Sequence, residues 1–312
     1  MAVEHGPFLG LVQFPHPGPE HNPRPFLADG VFPWNSGDHR RKFLETDGSW
    51  QNELGAEQSG RLRFWGEFEA PTRVRALGHK QGRLPRWVHE PQYPPVVQGR
   101  RQNTDPLVLG GFHYSNCKQR RLSGQHSPSV MQRLDPGSVI LFGSKIDHGF
   151  VVDTVFVVAS RIEYGRDEVD DLDAPEHVKD LALRPLYGEP QCHLRFVLYT
   201  GATVAHPVNG RWSFVPALPV ADQSARFARP RVELPGLVNH ALMMGLRSVA
   251  TDDPALTKAW GTVLRTVHDA GLVAATHLQA PAPPNPQDST TPAGSQPAVA
   301  GTARLQSFNG GG

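Results

Sequence analysis

Cysteine is nearly absent from this chain. Of 312 residues only Cys117 and Cys192 carry thiols, which excludes a disulfide framework and a zinc ribbon. Long apolar runs are missing as well. The longest, around 150–159, is interrupted by Asp153 and falls far short of the about 20 residues a membrane helix needs. The opening residues, MAVEHGPFLGLVQFPHPG, have neither a basic start nor an unbroken apolar stretch, so no secretory signal is expected. Neither sign of charge dominates, the formal net charge being +1, and global neutrality neither supports nor excludes a polyanionic partner. No HxH or HExxH spacing occurs among the 15 histidines, so no metal site is expected, and no cofactor is indicated. These absences predict a cytoplasmic protein in a reducing setting, with no membrane partner.

What is present is loop-rich. Hydrophobic residues make up 38%, with 31 Gly and 30 Pro, a composition that points to extended segments and turns. Residues 1–50 are dense in Pro, Gly and His, as in FPHPGPEHNPRPF and FPWNSGDHRRKFL, and are expected to wrap over the body with short strands at most. From 61 to 215, RLRFWGEFEA, GSVILFGS, GFVVDTVFVVASRIEY, HLRFVLYTG and RWSFVPAL read as strands bounded by Gly, Pro or Asp. Short helical turns are predicted near 128–134 and 175–182. TDDPALTKAWGTVLRTVHDAG is a helix with Thr251 as N-cap, Gly271 at its end and one apolar stripe of Leu256, Trp260, Val263, Leu264 and Val267. A shorter helix is predicted over roughly 236–246. From 279 onward large apolar residues almost vanish, which predicts a disordered tail. The reading is a mainly β, β-rich α+β protein: a barrel-like mixed or antiparallel sheet over 1–235, a small C-terminal helical segment over 236–278 packed on it, and a tail over 279–312.

Candidate site residues come first from RLRFWGEFEA. Leu62, Phe64, Gly66, Phe68 and Ala70 share one face of a strand, and Arg61, Arg63, Trp65, Glu67 and Glu69 share the other. The polar face is ordinary for an antiparallel strand turned to solvent. It also fits the floor of a pocket, with Trp65 stacking a ligand. Two carboxyls at i and i+2, roughly 6.6 Å apart along a strand, have the separation to work as acid and base on one substrate or to hold an ion. Gly66 between them suits a bulge or a close backbone approach.

Asp153 is the second candidate. In GFVVDTVFVVA the alternation puts Phe150, Val152, Thr154, Phe156 and Val158 on one face and Val151, Asp153, Val155 and Val157 on the other. Both faces are apolar, so Asp153 must be paired, hydrogen-bonded or protonated. It is expected either to accept N–H bonds from a crossing loop or to orient a basic side chain from behind the site.

Between these strands, residues 102–121 concentrate His113, Tyr114, Asn116, Cys117, Lys118 and Gln119. Solvation in a surface loop accounts for them; a Cys117 nucleophile with His113 as base is the sharper reading. Residues 61–101 hold nine Arg or Lys against three Glu, interleaved with Trp87, His89 and Tyr93, and HRRK at 39–42 adds to the same sign. Basic residues mixed with aromatics suit phosphate contact and base stacking.

RLDPGSVILFGS, residues 133–144, resembles the stretch of PUA-like barrels of the ASCH and EVE type in which a Pro-Gly turn feeds an apolar strand beside a ligand pocket. The resemblance extends over about 133–158 and implies a small β-barrel that binds RNA, modified bases or nucleotides. The expected function is therefore a nucleic-acid or nucleotide-binding module: Trp65 stacks a base, Arg63 and Lys118 meet phosphate, Glu67, Glu69 and Asn116 read base edges or ribose, and Asp153 supports them. The alternatives are an enzyme on a nucleotide or glycosidic substrate with Glu67 and Glu69 as acid and base, and an interaction protein without catalysis.

Overall fold

Two apolar hairpins set the frame. In a computed structural model, residues 6–23, 30–35, 39–52, 55–78, 85–94, 102–120, 127–188, 193–221 and 227–283 are described. Among them thirteen strands run in chain order: β1 Gly10–His16, β2 Val31–Phe32, β3 Lys42–Gln51, β4 Glu57–Gly66, β5 Thr72–Ala76, β6 Trp87–Pro91, β7 His113–Tyr114, β8 Val139–Ile146, β9 Gly149–Tyr164, β10 Phe196–Gly201, β11 Val215–Pro219, β12 Arg247–Ala250 and β13 Val273–Leu278. The β8–β9 hairpin turns through Asp147 and His148, with Asp147 at φ 50°, a left-handed conformation that Asp tolerates in tight hairpins.

The strands form two mixed sheets. The first has the order β12-β1-β8-β9-β10-β7, with β1 and β8 parallel. The second has the order β13-β11-β4-β3-β6-β5-β2, and β13 also pairs with β3. That extra pairing closes β3, β4, β11 and β13 into a small four-stranded antiparallel barrel. The two sheets share one core, to which Val12, Phe14 and Phe156 come from the first and Leu44, Phe64 and Ala217 from the second. Burial of each such side chain contributes about 1.5–3 kcal/mol. Reciprocal backbone bonds of 2.9 Å between Val155 and Phe214 stitch the sheets together.

The opposite face of the first sheet is covered by helix. A short α1, Glu176–Val178, which runs on into a π turn and a 3-10 turn, joins the shared core instead through Val178, Leu181 and Leu183. The main helix is α2, Asp253–Asp269. Its Leu256, Trp260, Val263 and Val267 pack on Leu11, Val139, Leu141 and Val157, as the helical spacing predicts. The N-cap is Asp252, whose side chain accepts from the Ala255 amide, and not Thr251. No helix among the described residues is long and apolar enough to cross a membrane.

The mainly β architecture with a barrel and a small helical part agrees with the sequence reading; several details differ. Residues 10–16 and 42–51 are not wrap: β1 is a fully buried interior strand and β3 is a barrel strand. Pro and Gly density hid both. Residues 236–246 form turns instead of a helix, with Gly236 and Gly245 at positive φ. The C-terminal region also supplies β12 and β13, so it is woven into the sheets, and one compact unit spans residues 1–282. The tail expected from 279 lies, beyond residue 283, outside the described residues. RLDPGSVILFGS, residues 133–144, runs into β8 of the six-stranded sheet.

Strand β9 carries the feature that positions the site. Phe142 faces Thr154 and Gly143 faces Val152, so Asp153 is an extra residue in a β-bulge. The slip changes the phase: Phe150 and Val152 share their cluster with Val155 and Val157, while Phe156 and Val158 face the other core. Uniform alternation across 150–158 is thereby corrected. Opposite the bulge, a Cβ on Gly143 would stand 2.0 Å from the Val151 carbonyl. Gly143→Ala is expected to cost more than about 2 kcal/mol in urea unfolding, whereas Gly60→Ala, where a Cβ meets only the Trp50 ring at 3.8 Å, costs less than about 1 kcal/mol.

Candidate functional site

The bulge turns the Asp153 carboxylate toward the junction of the two sheets, where it is 2% exposed. A charge in that position requires compensation, and two guanidiniums provide it. Arg229 Nε donates to Oδ1 at 2.7 Å, and a second nitrogen donates to Oδ2. Arg229 also bonds Ser144 Oγ at 2.7 Å. From the other side Arg41 Nε lies 3.1 Å from Asp153 Oδ2. Asp153 is thus paired with side-chain guanidiniums, as the burial of its charge requires.

Arg41 carries the network onward. Its Nη1 donates to Glu67 Oε2 at 3.0 Å and its Nη2 to His16 Nδ1. An arginine only donates, so His16 Nδ1 holds a lone pair and the ring proton sits on Nε2. That nitrogen is 3.6 Å from Glu67 Oε2 and 3.9 Å from Cys117 Sγ. Burial and the Arg41 charge hold His16 well below its usual range, in its neutral form.

Beyond Gly66, the last residue of β4, the chain runs on through Glu67 and Glu69, both buried. Glu67 Oε1 is 3.2 Å from His39 Nδ1. Glu69 is entirely buried, and neither of its oxygens has a hydrogen bond among the described residues; His39 Nδ1 is 3.8 Å away. Burial pushes the Glu69 carboxyl upward. The hydrogen bond to Glu67 and the adjacent Glu69 carboxylate raise His39 to about 10. The His39 side chain is 41% exposed, so it forms the mouth of an otherwise closed cluster. Nearby, Lys42 donates to the Phe68 carbonyl, and burial lowers it to about 8. No water-sized space separates Arg41, Glu67, Pro106, Phe142 and Asp153, so the side of the pair away from His39 is sealed.

Asp105 shapes the neighbouring loop. Its carboxylate accepts the amides of Ser115 at 2.7 Å, Asn116 at 2.9 Å and Cys117 at 2.5 Å. Burial raises it to about 6, against those three donors. Lys118, at φ 60°, bonds the Pro15 and Gly245 carbonyls at 2.7 and 2.9 Å and lies 4.1 Å from the centre of the Phe14 ring.

The expected site residues are therefore divided. Glu67, Glu69 and Asp153 converge. Asn116 and Lys118 belong to the adjoining Asp105 loop, Asn116 through its backbone and Lys118 as a clamp on two carbonyls. Arg63 lies apart, half-exposed and 2.6 Å from Glu45 Oε2, which also meets Arg61 and Arg75. Trp65 is not an open stacking platform: it is 4% exposed, packed with Phe43 and Val88, and Arg229 lies 5.4 Å from its ring centre. Trp65 thus floors no open recess; a recess of about 240 Å³ on this face is lined instead by Arg61 with Thr46, Asp47, Glu90 and Tyr93.

A Cys117 nucleophile is also corrected. Burial pushes the thiol strongly upward, and the nearby Asp105 charge adds to this. His16, the ring beside it, presents N–H and no lone pair. His113 instead joins β7, where burial lowers it to about 4.

Sequence reasoning missed His16, His39, Arg41, Asp105 and Arg229. HRRK looked like an outward basic patch, yet Arg41 and Lys42 are buried. The usable signal was the alternation Lys42, Leu44, Thr46 running into a strand, which puts a lysine on the core face. Arg229 had no such signal. Compared with known protein families, with curated proteins and with solved structures, the chain matches none.

Two measurements check this arrangement. Arg229→Met leaves half of a buried ion cluster uncompensated and is expected to cost about 3–5 kcal/mol in chemical unfolding, while Arg63→Met on the surface network costs no more than about 1 kcal/mol. In a Cys192→Ser background, iodoacetamide at mildly alkaline pH is expected to modify Cys117 at least about tenfold more slowly in the native chain than in urea; equal rates would contradict the raised thiol.

Proposed function

We propose that this chain is an enzyme acting on a nucleotide or glycosidic substrate through the Glu67–Glu69 carboxylate pair, entered past His39. One observation carries the reading: Glu69 is a fully buried carboxylate without a side-chain hydrogen bond among the described residues, beside an ion-paired Glu67 and a half-exposed histidine. A protein that satisfies Asp105 and Asp153 so fully has no structural need for an orphan acid, because leaving one buried costs free energy. Perturbed acids of this kind are what proton transfer requires. In this reading Glu69 is the proton-holding partner, Glu67 is the partner carboxyl paired with Arg41, and Asp153 is a positioning residue acting through Arg41.

The binding-module reading takes second place, since Trp65 and Arg63 stand away from the pair. It draws support from Arg61, Arg63, Arg73 and Arg75, which share the outer face of β4 and β5 with Glu45 and Glu90. Phosphate contact along that face would complement the pair if the substrate is a nucleotide.

The test is a product assay on nucleosides, nucleotides, short RNA and aryl glycosides. Turnover of one class is expected, reduced at least about 100-fold in Glu67→Gln and in Glu69→Gln and unchanged in Cys117→Ser. Salt-sensitive nucleic-acid binding without turnover, or turnover indifferent to both glutamine variants, would overturn the proposal.

A further inference from the structure

We propose that His39 Nδ1, Glu67 Oε1 and an oxygen of Glu69 form a binding site for one divalent transition-metal ion of the Zn2+ or Mn2+ class. These three side chains bring one ligand atom each to within 4.8 Å of one another. Two of the separations, His39 Nδ1 to Glu67 Oε1 and to Glu69 Oε1, are 3.2 and 3.8 Å. Ligands around a single ion at about 2.1 Å stand about 3–3.5 Å apart, so closing the set takes movements of about 1 Å. The local-spacing argument against a metal does not reach this cluster, because His39 and Glu67 are 28 residues apart.

Proximity of acids alone would not make a site, and Glu69 supplies the independent observation. It has no exposure, and among the described residues both oxygens lack hydrogen bonds and the nearest ion-pair partner is the His39 ring at 3.8 Å. A ligand atom held dry and unbonded is prepared for a cation. The surroundings of the other two ligands agree. Arg41 engages Glu67 through Oε2, which leaves Oε1 turned to His39. The other ring nitrogen of His39, Nε2, lies 3.1 Å from Gln102 Nε2; an imidazole ligating through Nδ1 carries its proton on Nε2, so this contact becomes the outer hydrogen bond of a ligating ring once the Gln102 amide turns its oxygen inward. Exposure of His39 gives an ion a route in and leaves positions for water.

One imidazole and two carboxylates are borderline and hard donors, which favours Zn2+ or Mn2+ over Cu(I) and over the all-oxygen sites of Ca2+. Charge is suitable too. Asp105, Asp153, Glu67 and Glu69 face Arg41, Lys42, Lys118 and Arg229 at the junction, four acids to four bases, so with a neutral His39 a dication meets no excess of positive charge. The role of the ion rests on the enzyme reading: there the carboxylates would act as ligands and ion-bound water would become the titrating group. Binding itself does not depend on that reading.

The experiment uses the full chain, stripped with chelator and dialysed against Zn2+ or Mn2+, with bound metal counted by mass spectrometry and affinity read by calorimetry and by the Mn2+ electron paramagnetic signal. One ion per chain is expected, weakened at least about tenfold in His39→Asn and in Glu69→Gln and unchanged in Glu45→Gln. Equal affinity in all variants, or no stoichiometric binding by the wild type, would overturn the site. If a variant fails to fold, anomalous diffraction from Mn2+-soaked wild-type crystals decides: a peak between His39 and Glu69 supports the site and a peak elsewhere refutes it. Ion binding without turnover supports the site and counts against the enzyme reading. Turnover in chelator with no ion bound does the reverse.

Discussion

A single buried guanidinium, Arg41, joins the two sheets. It meets Asp153 on β9, His16 on β1 and Glu67 just beyond β4, so the first sheet and the barrel are tied by charge as well as by their shared apolar core. Taking an arginine out of water costs several kcal/mol, and this site compensates it with two carboxylates and a neutral imidazole. Everything distinctive in the site follows from that arrangement. Asp153 reaches Arg41 because a bulge offsets β9 by one residue, and the bulge closes because Gly143 presents no side chain to the Val151 carbonyl.

The same logic separates structural from functional acids. Asp105 and Asp153 are each held by several donors, and both latch parts of the fold, a loop in one case and a sheet junction in the other. Glu67 is shared between Arg41 and His39. Glu69 has no side-chain hydrogen bond among the described residues, and the His39 ring lies at 3.8 Å. A gradient from fully satisfied to unsatisfied carboxylate therefore runs toward the half-exposed histidine, which is the direction from which a substrate or an ion arrives.

Much of the frame was legible in the sequence. The apolar strands, the two-sided burial of β9 and the stripe of α2 follow from periodicity, and Asp153 stood out because a charge in an apolar strand needs a partner. The identity of the partners was not legible. Arg41 and Arg229 are brought to Asp153 by contacts spanning more than 70 residues, and no local pattern marks such convergence. Trp65 misled for a related reason: alternation placed it on the polar face, but whether a face is open depends on what crosses it, and here Phe227 and Arg229 do. The barrel strand β3 was hidden because its first residue, Lys42, reads as part of a basic run, although its ammonium finds a carbonyl inside.

The account stands or falls on Arg41 coupling the sheets. A double-mutant cycle of Arg41→Met with Asp153→Asn, followed by urea unfolding, measures that coupling directly. A coupling energy of about 1–3 kcal/mol is predicted. Additivity of the two substitutions within about 0.5 kcal/mol would contradict the claim that this pair holds the carboxylate site together.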